Sequence, residues 1–140
     1  MLNLSEIFIY PIKSLGGISV DSAIVEERGL RYDRRFLLVD ENKTFMTQRD
    51  FPHMALLKPS FGESGFDIFN KKDNTSTFIP FETNSTEIIN VQIWNDHCLA
   101  VRVSEDIDTW FSNALNIRCS LVLMPNDERR IVEKDYIEED

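Results

Sequence analysis

The stretch Phe8-Ile9-Tyr10-Pro11-Ile12-Lys13-Ser14-Leu15-Gly16-Gly17 joins an apolar strand pattern to a basic and a hydroxyl side chain, followed directly by two glycines. Pro11 has no backbone donor, so a strand that contains it is expected at the edge of a sheet or near its own end. Gly16 and Gly17 can take positive φ and allow a ligand or another backbone to come close. Lys13 and Ser14 therefore form either an anion site at a strand exit or a hairpin corner with a solvated lysine.

Short apolar runs with partial alternation continue along the chain and predict further strands. Strands are predicted at residues 4–12, 18–27, 36–39, 44–47, 55 to a limit at Pro59, 66–69, 77–81, 89–93, 99–103 and 118–124. The four-residue block at 36–39 is apolar throughout, which is typical of a strand buried on both faces. Residues 48–53 are expected to be irregular or a single helical turn, because Pro52 restrains the residue before it.

One segment has a helical pattern, residues 105–115. Ser104 is a favourable N-cap, and three acidic residues follow it in the first turn, where the helix dipole favours negative charge. Apolar side chains then recur at i, i+3, i+4, i+7 and i+8 from Ile107, which gives one apolar face. Many short strands with one late helix predict a mainly β fold, an antiparallel β-barrel or curled sheet with one principal C-terminal helix.

Length and composition indicate one globular domain and limit its partners. The chain has 140 residues and a net charge of −9, which argues against nucleic acid as the main partner. No apolar run approaches the roughly 20 residues that span a bilayer, and no secretory signal is recognisable, so we expect a cytoplasmic protein without a membrane partner. Cys98, Cys119 and the two histidines are isolated, so no protein-built metal site is expected.

The basic residues are unevenly distributed, since eight of the 15 lie in residues 1–60, where they balance eight acidic residues. A local anion site there is compatible with an acidic chain. Residues 126–140 hold three basic and seven acidic residues and lack a periodic apolar pattern, so we expect a charged linker after a domain of residues 1–125.

Three segments together resemble one family. They are Tyr10-Pro11-Ile12-Lys13-Ser14 with Gly17, then Gly29-Leu30 and Asp33 to Asp40, then Thr47-Gln48-Arg49 with Pro52 and Leu56. Their order and spacing resemble the N-terminal β-barrel domain of MOSC proteins, a family that includes the C-terminal region of molybdenum cofactor sulfurases and the mitochondrial amidoxime-reducing component. The resemblance covers roughly residues 4–136.

This resemblance implies a molybdenum cofactor (molybdopterin) clamped between the barrel and a following MOSC domain of the same parent chain. It implies that Lys13, Ser14 and Arg34 reach the pterin and its phosphate, and it places Arg49 at the same cleft with weaker support. Lysine offers a point charge, arginine a bidentate fork and serine a short neutral donor, which suits a phosphate. The molybdenum-ligating cysteine belongs to the following domain, so no catalytic residue and no metal ligand is expected in this chain.

The resemblance leaves three functions open. The first is one wall of the cofactor and substrate cleft of an oxidoreductase that reduces N-hydroxylated compounds, with a ferredoxin-like or flavin electron donor and with this chain inert by itself. The second is a sulfurase-type protein that binds the cofactor or transfers sulfur to it. The third is a non-enzymatic protein-interaction barrel whose acidic tail docks a partner.

Overall fold

The computed structural model describes residues 7–26 and 29–124, and strands dominate this part of the chain. In chain order the strands are β1 (Ile7–Ile9), β2 (Ile18–Val20), β3 (Val25–Glu26), β4 (Gly29–Leu30), β5 (Phe36–Asp40), β6 (Leu57–Phe61), β7 (Gly65–Asn70), β8 (Thr75–Pro80), β9 (Ile88–Ile93), β10 (Asp96–Arg102) and β11 (Cys119–Leu123). A 3₁₀ helix spans Pro52–Leu56, and the one α-helix of the described residues, α1, spans Glu105–Leu115. The mainly β prediction with one late helix is confirmed.

The strands form four antiparallel sheets, and none of the four closes on itself within the described residues. The curled-sheet form of the fold prediction is therefore the one observed. The predicted linker at 126–140 lies outside the described residues. No helix in the described ranges is long and apolar enough to cross a membrane.

The chain divides into two compact units, the first formed by residues up to Arg35 with Thr47–Thr83, the second by Phe36–Met46 with residues from Asn84 onward. In the first unit, β1 pairs with β2, β3 pairs with β4, and β6, β7 and β8 form a three-stranded sheet in that order. Four aromatic rings, those of Tyr32, Phe61, Phe66 and Phe81, pack against one another, with Tyr32 and Phe81 stacked at a centroid distance of 4.2 Å.

Three predicted strand boundaries in the first unit are wrong, each for a local reason. The first strand ends at Ile9 because the N–H of Tyr10 bonds the carboxylate of Asp33 and leaves the ladder. The predicted strand 18–27 breaks after Val20, where Asp21 and Ser22 follow, residue types that favour turns.

The third wrong boundary concerns Pro59, which was expected to limit a strand. Pro59 instead lies inside β6, paired with Ile68 of β7. Because β6 is at the edge of its sheet, the missing N–H of proline breaks no ladder there. The preceding residues Ala55 and Leu56 belong to the 3₁₀ helix rather than to the strand.

The second unit contains a sheet in the order β5-β11-β10-β9. Phe36 to Val39 of β5 are all buried, as the apolar run predicts. A cluster of buried side chains lies on this sheet: Leu37, Val39, Val91, Ala100, Val122 and Met124. Strands β9 and β10 form a hairpin whose turn is Trp94-Asn95, because Asp96 still pairs with Ile93. Trp94 takes a φ of 55°, a left-handed conformation uncommon for a bulky residue.

Helix α1 has the bounds that the apolar period predicts, and it begins with the expected cap. The Oγ of Ser104 accepts a hydrogen bond from the N–H of Ile107 at 3.1 Å. The buried Asp108 ties the helix to the sheet, since its carboxylate accepts from Leu121 N at 2.8 Å and from Arg102 Nε at 2.6 Å.

Candidate functional site: a basic corner after the first strand

Lys13 and Ser14 lie in a tight turn after β1, closed by a hydrogen bond from Leu15 N to Ile12 O at 3.2 Å. Ser14 has a φ of 72°, in the left-handed region, whereas neither Gly16 nor Gly17 lies in that region. The conformational role expected of the glycines thus falls on Ser14. Non-glycine residues in this region cost of order 1–3 kcal/mol and cluster at ligand-binding sites.

The Asp33-Arg34 segment is fixed against Tyr10, three residues before Lys13. The N–H of Tyr10 donates to Asp33 Oδ1 at 2.7 Å, and the N–H of Arg34 donates to the carbonyl of Tyr10 at 2.6 Å. In a simple up-and-down sheet, the end of the first strand and the beginning of the third strand lie at opposite ends of the sheet. Here the short pair β3–β4 returns the chain, and Arg34 follows it directly beside the end of β1.

The guanidinium of Arg34 has two neighbours and still faces solvent. Its Nη1 donates to Asp33 Oδ2 at 2.6 Å, and its Cζ lies 5.0 Å from the ring centroid of Tyr10. The Arg34 side chain is 58% exposed, against 17% for Asp33. Arginine has five N–H donors, and within the described residues only Nη1 of this side chain has a hydrogen-bond partner. The ion pair with Asp33 therefore orients Arg34 without using up its donors.

The third sequence segment reaches the same corner through Gln48. Its Nε2 donates to the carbonyl of Ser14 at 2.9 Å. Arg49, the next residue, is exposed and has no hydrogen bond or ion pair with the described residues. The structure thus brings the Thr47-Gln48-Arg49 segment to the turn, while the side chain that makes the contact is Gln48.

Three residues that were not predicted from the sequence also shape this corner: Tyr10, Tyr32 and Gln48. Tyr32 anchors the loop that carries Arg34, because its ring stacks on Phe81 while its backbone has a φ of 70°. Arg34 itself has a φ of 51°. All three residues lie within or next to the segments that resemble the family, and this proximity is the sequence feature that could have identified them.

No cluster of three or more His, Cys, Asp or Glu side chains that could hold a metal ion occurs in residues 7–26 and 29–124. Cys98 and Cys119 both lie in the second unit and form no disulfide. Burial raises the pKa of the Cys119 thiol to about 11, and the nearby Asp108 carboxylate adds to the shift, while a hydrogen bond with Ser112 lowers it. A thiol with so high a pKa is a poor metal ligand at neutral pH.

A polar groove of about 490 Å³ lies in the second unit and includes Asp40, Lys43, Arg102, Asp108 and Arg118 in its wall. Its charges are mixed, and Arg102 and Asp108 are bonded to each other. The hydrogen bond and charge of Asp108, with those of Glu87, raise the pKa of Arg102. This pair serves the helix–sheet contact.

The curled β fold and the convergence of three segments at one basic turn define a β domain with an exposed cationic corner. The chain belongs to the MOSC N-terminal beta barrel domain family, whose model matches residues 1–118.

Curated relatives at modest identity are molybdenum cofactor sulfurases. The one from Homo sapiens is 25% identical over 136 residues, 95% of this chain and 15% of the relative. The one from Solanum lycopersicum is 26% identical, covering 85% of this chain and 15% of the relative. Molybdenum cofactor sulfurase 2 from Culex quinquefasciatus is 27% identical, covering 96% of this chain and 19% of the relative. The chain thus spans less than a fifth of the length of these relatives.

A solved structure with the same fold is the solution structure of a protein from Bordetella bronchiseptica. It superposes with a TM-score of 0.67 over 86% of this chain and 90% of its own, at 14% sequence identity. This likeness shows the fold alone.

Proposed function

We propose that this domain forms one wall of a molybdenum-cofactor cleft and that its basic corner holds the phosphate of the cofactor. The observation that carries the proposal is the meeting of three segments within hydrogen-bond distance. Asp33 and Arg34 bond the backbone of Tyr10, and Gln48 bonds the backbone of Ser14. Lys13, Ser14 and Arg34 are the contacts that we assign to the phosphate and pterin, with Arg49 beside them.

The residues of the corner fit a phosphate chemically. Arg34 offers free guanidinium donors to solvent, and Ser14 offers a hydroxyl on a turn held in the left-handed conformation. A phosphate oxygen can accept from both of these donor types.

Within the described residues no cluster of three or more metal-ligating side chains occurs, and burial raises the pKa of the Cys119 thiol to about 11, which makes this thiol a poor ligand at neutral pH. We therefore propose that a following MOSC domain supplies the molybdenum ligand, as the family resemblance implies. We also propose that the protein acts in the cytoplasm. When bound, the metal centre would supply the redox chemistry; this domain would bind and orient the cofactor.

Two parent reactions follow from this role. The first is reduction of the N–O bond of N-hydroxylated substrates with electrons from a ferredoxin-like or flavin donor. The second is handling of the cofactor in a sulfurase-type protein, and the names of the curated relatives favour it. The full-length parent separates them: N–O reduction with an electron donor supports the first, and sulfur transfer to the cofactor without N–O reduction supports the second.

The phosphate role is tested by exposing the purified chain to molybdopterin and measuring retained pterin by fluorescence. We expect Arg34→Ala and Lys13→Ala each to lower retained pterin at least fivefold, since a charge-assisted hydrogen bond is worth about 1.5–3 kcal/mol. Lys43→Ala, at an exposed position of the second unit, removes the same charge and should leave retention unchanged. Equal retention by wild type, Arg34→Ala and Lys13→Ala would contradict the proposal.

A further inference from the structure

Strand β8 forms one edge of the three-stranded sheet β6-β7-β8, and its backbone is open along that edge. Just after the strand, the N–H of Phe81 donates to the carbonyl of Ser64 at 3.0 Å. Hydrogen-bonded and non-hydrogen-bonded positions alternate in an antiparallel ladder, and counting back from Phe81 puts Ser76 and Phe78 in the second kind. The N–H and C=O groups of Ser76 and Phe78 therefore point away from β7, to a side on which no strand of the described residues pairs with β8.

The two edges of this sheet differ in their protection against another strand. On the β6 edge, Pro59 offers no N–H, and the exposed Lys58 precedes it. Proline and lysine are common means by which natural proteins block a sheet edge. Residues 74–81, by contrast, carry no charge, and proline enters this run only at Pro80. The β8 edge, which we define as Thr75–Ile79, is therefore suited to the addition of another strand.

Two aromatic side chains beside the β8 edge are partly exposed. Phe78 of β8 is 44% exposed and Phe69 of β7 is 40% exposed. Both lie on the face of the sheet opposite the buried Ile68 and Ile79. The Phe78 ring lies over Gly65 of β7, since a Cβ atom on that glycine would be 2.6 Å from Phe78 Cζ. The ring thus lies on the β7 side and leaves its own backbone at the edge uncovered.

The two ends of β8 carry opposite charges. The turn before the strand contains Lys71 and Lys72 with one aspartate, whereas Glu63 and Glu82 lie at the end where β8 finishes. These lysines and glutamates are exposed, and within the part of the chain that the structure describes none of them forms an ion pair. An antiparallel second β8 would bring the basic end of each strand to the acidic end of the other, while a parallel one would bring like charges together.

We propose that a second copy of this chain occupies the β8 edge, through antiparallel pairing of the two β8 strands about a twofold axis at Thr77. In this register Ser76 of each copy lies opposite Phe78 of the other, and each such pair exchanges both backbone hydrogen bonds. Lys72 of each copy then comes opposite Glu82 of the other. The inference is independent of the proposed phosphate role.

The proposed contact closes at two copies. Both copies use the same edge, which is the isologous arrangement of a twofold dimer. The edges that remain exposed are those of β6, where Pro59 offers no donor. Pairing along one short strand buries less than the standard interface of about 1,600 Å², so we expect a weak dimer in equilibrium with the monomer.

The first experiment is sedimentation velocity of the purified chain from micromolar to millimolar concentration. We expect the wild type to change from monomer to dimer without larger species. Ser76→Lys should weaken the dimer about tenfold, because the two new ammonium groups would lie diagonally across the twofold axis. The matched control is Ser60→Lys, the same charge change at an exposed serine of β6, which should change the dissociation constant by less than about twofold. Circular dichroism at micromolar concentration checks that both variants are folded.

Charge reversal tests the antiparallel register. Glu82→Lys and Lys72→Glu should each weaken the dimer about three- to tenfold, because each variant places like charges opposite one another at both ends of the contact. The double variant Lys72→Glu/Glu82→Lys should regain the wild-type dissociation constant, since the opposite charges face each other again.

Three results would overturn the proposal. A wild-type chain that stays monomeric at millimolar concentration would exclude a second copy as the occupant and leave the β8 edge to an extended segment of another protein. Equal weakening by Ser76→Lys and Ser60→Lys would show that the copies meet through another surface. A double charge variant that dimerises no better than the single variants would exclude the antiparallel register.

Discussion

The backbone of Gly17 is in direct contact with the ring of Tyr10: a Cβ atom on Gly17 would lie 2.8 Å from Tyr10 Cε1 and 2.9 Å from Cζ. The same ring carries the guanidinium of Arg34, whose Cζ is 5.0 Å from its centroid. Tyr10 thus lies between a glycine notch and the arginine that we assign to the ligand. Gly17 is needed for the space it leaves, since its φ is not in the left-handed region.

Gly17→Ala should therefore displace the Tyr10 ring and destabilise the protein by about 1–3 kcal/mol, the usual cost of overpacking. The matched control is Gly16→Ala, whose new methyl group would meet its nearest atom at an ordinary 3.4 Å. It should change the free energy of unfolding by less than about 0.5 kcal/mol. Urea denaturation of the two variants measures the difference, and equal stabilities would show that the Tyr10 ring yields freely.

Tyr10 should position Arg34 through its ring. We expect Tyr10→Leu to weaken phosphate-monoester binding several-fold, and Tyr10→Phe, which keeps the ring, to retain it, since cation–π contacts are worth about 0.5–1 kcal/mol at exposed sites. In a double-mutant cycle, Tyr10→Leu should have no further effect on binding once Arg34 is alanine. Full additivity of the two losses would indicate that Tyr10 acts independently of Arg34.

Asp108 should contribute more to stability than any exposed acidic partner of Arg102. Asp108→Ala leaves the buried N–H of Leu121 without an acceptor, and we expect a cost of about 1–3 kcal/mol. The side chain of Glu87, whose carboxylate is also bonded to Arg102, is 53% exposed. Glu87→Gln should therefore lower the free energy of unfolding by at most about 1 kcal/mol. Thermal unfolding of both variants measures this, and a larger loss for Glu87→Gln would contradict the assignment.

The two thiols should differ in reactivity. Because burial raises the pKa of Cys119 to about 11, its thiol stays protonated at pH 8, and the thiolate is the reactive form. We expect iodoacetamide to label the half-buried Cys98 first at pH 8, as read by mass spectrometry on wild type and a Cys98→Ser control.

The same pKa shift has a consequence for stability. An unfolded cysteine ionises near pH 8.5, so above that pH the unfolded state binds fewer protons than the native state and the free energy of unfolding falls as pH rises toward 11. Cys119→Ala should remove this part of the alkaline destabilisation. In the iodoacetamide experiment, rapid labelling of Cys119 in the native Cys98→Ser variant at pH 8 would contradict the raised pKa, because it would show that burial does not keep this thiol protonated.

The sequence by itself determined the elements whose signals are local. Helix α1 follows from the Ser104 cap and the apolar period after Ile107, and both are set by neighbours within four residues. The buried strand β5 follows from an unbroken apolar run. The family resemblance likewise depends on short segments that can be recognised without coordinates.

Only the tertiary structure decided how those segments meet. β1 ends at Ile9 because Tyr10 bonds Asp33, 23 positions away along the chain, and no local pattern encodes that pairing. The contacts of Gln48 with Ser14 and of Lys58 with Gly16 likewise join residues more than 30 positions apart. A side chain's neighbours across such distances are set by the packing of the whole domain, so the side chains that meet at the corner could not be read from sequence order alone.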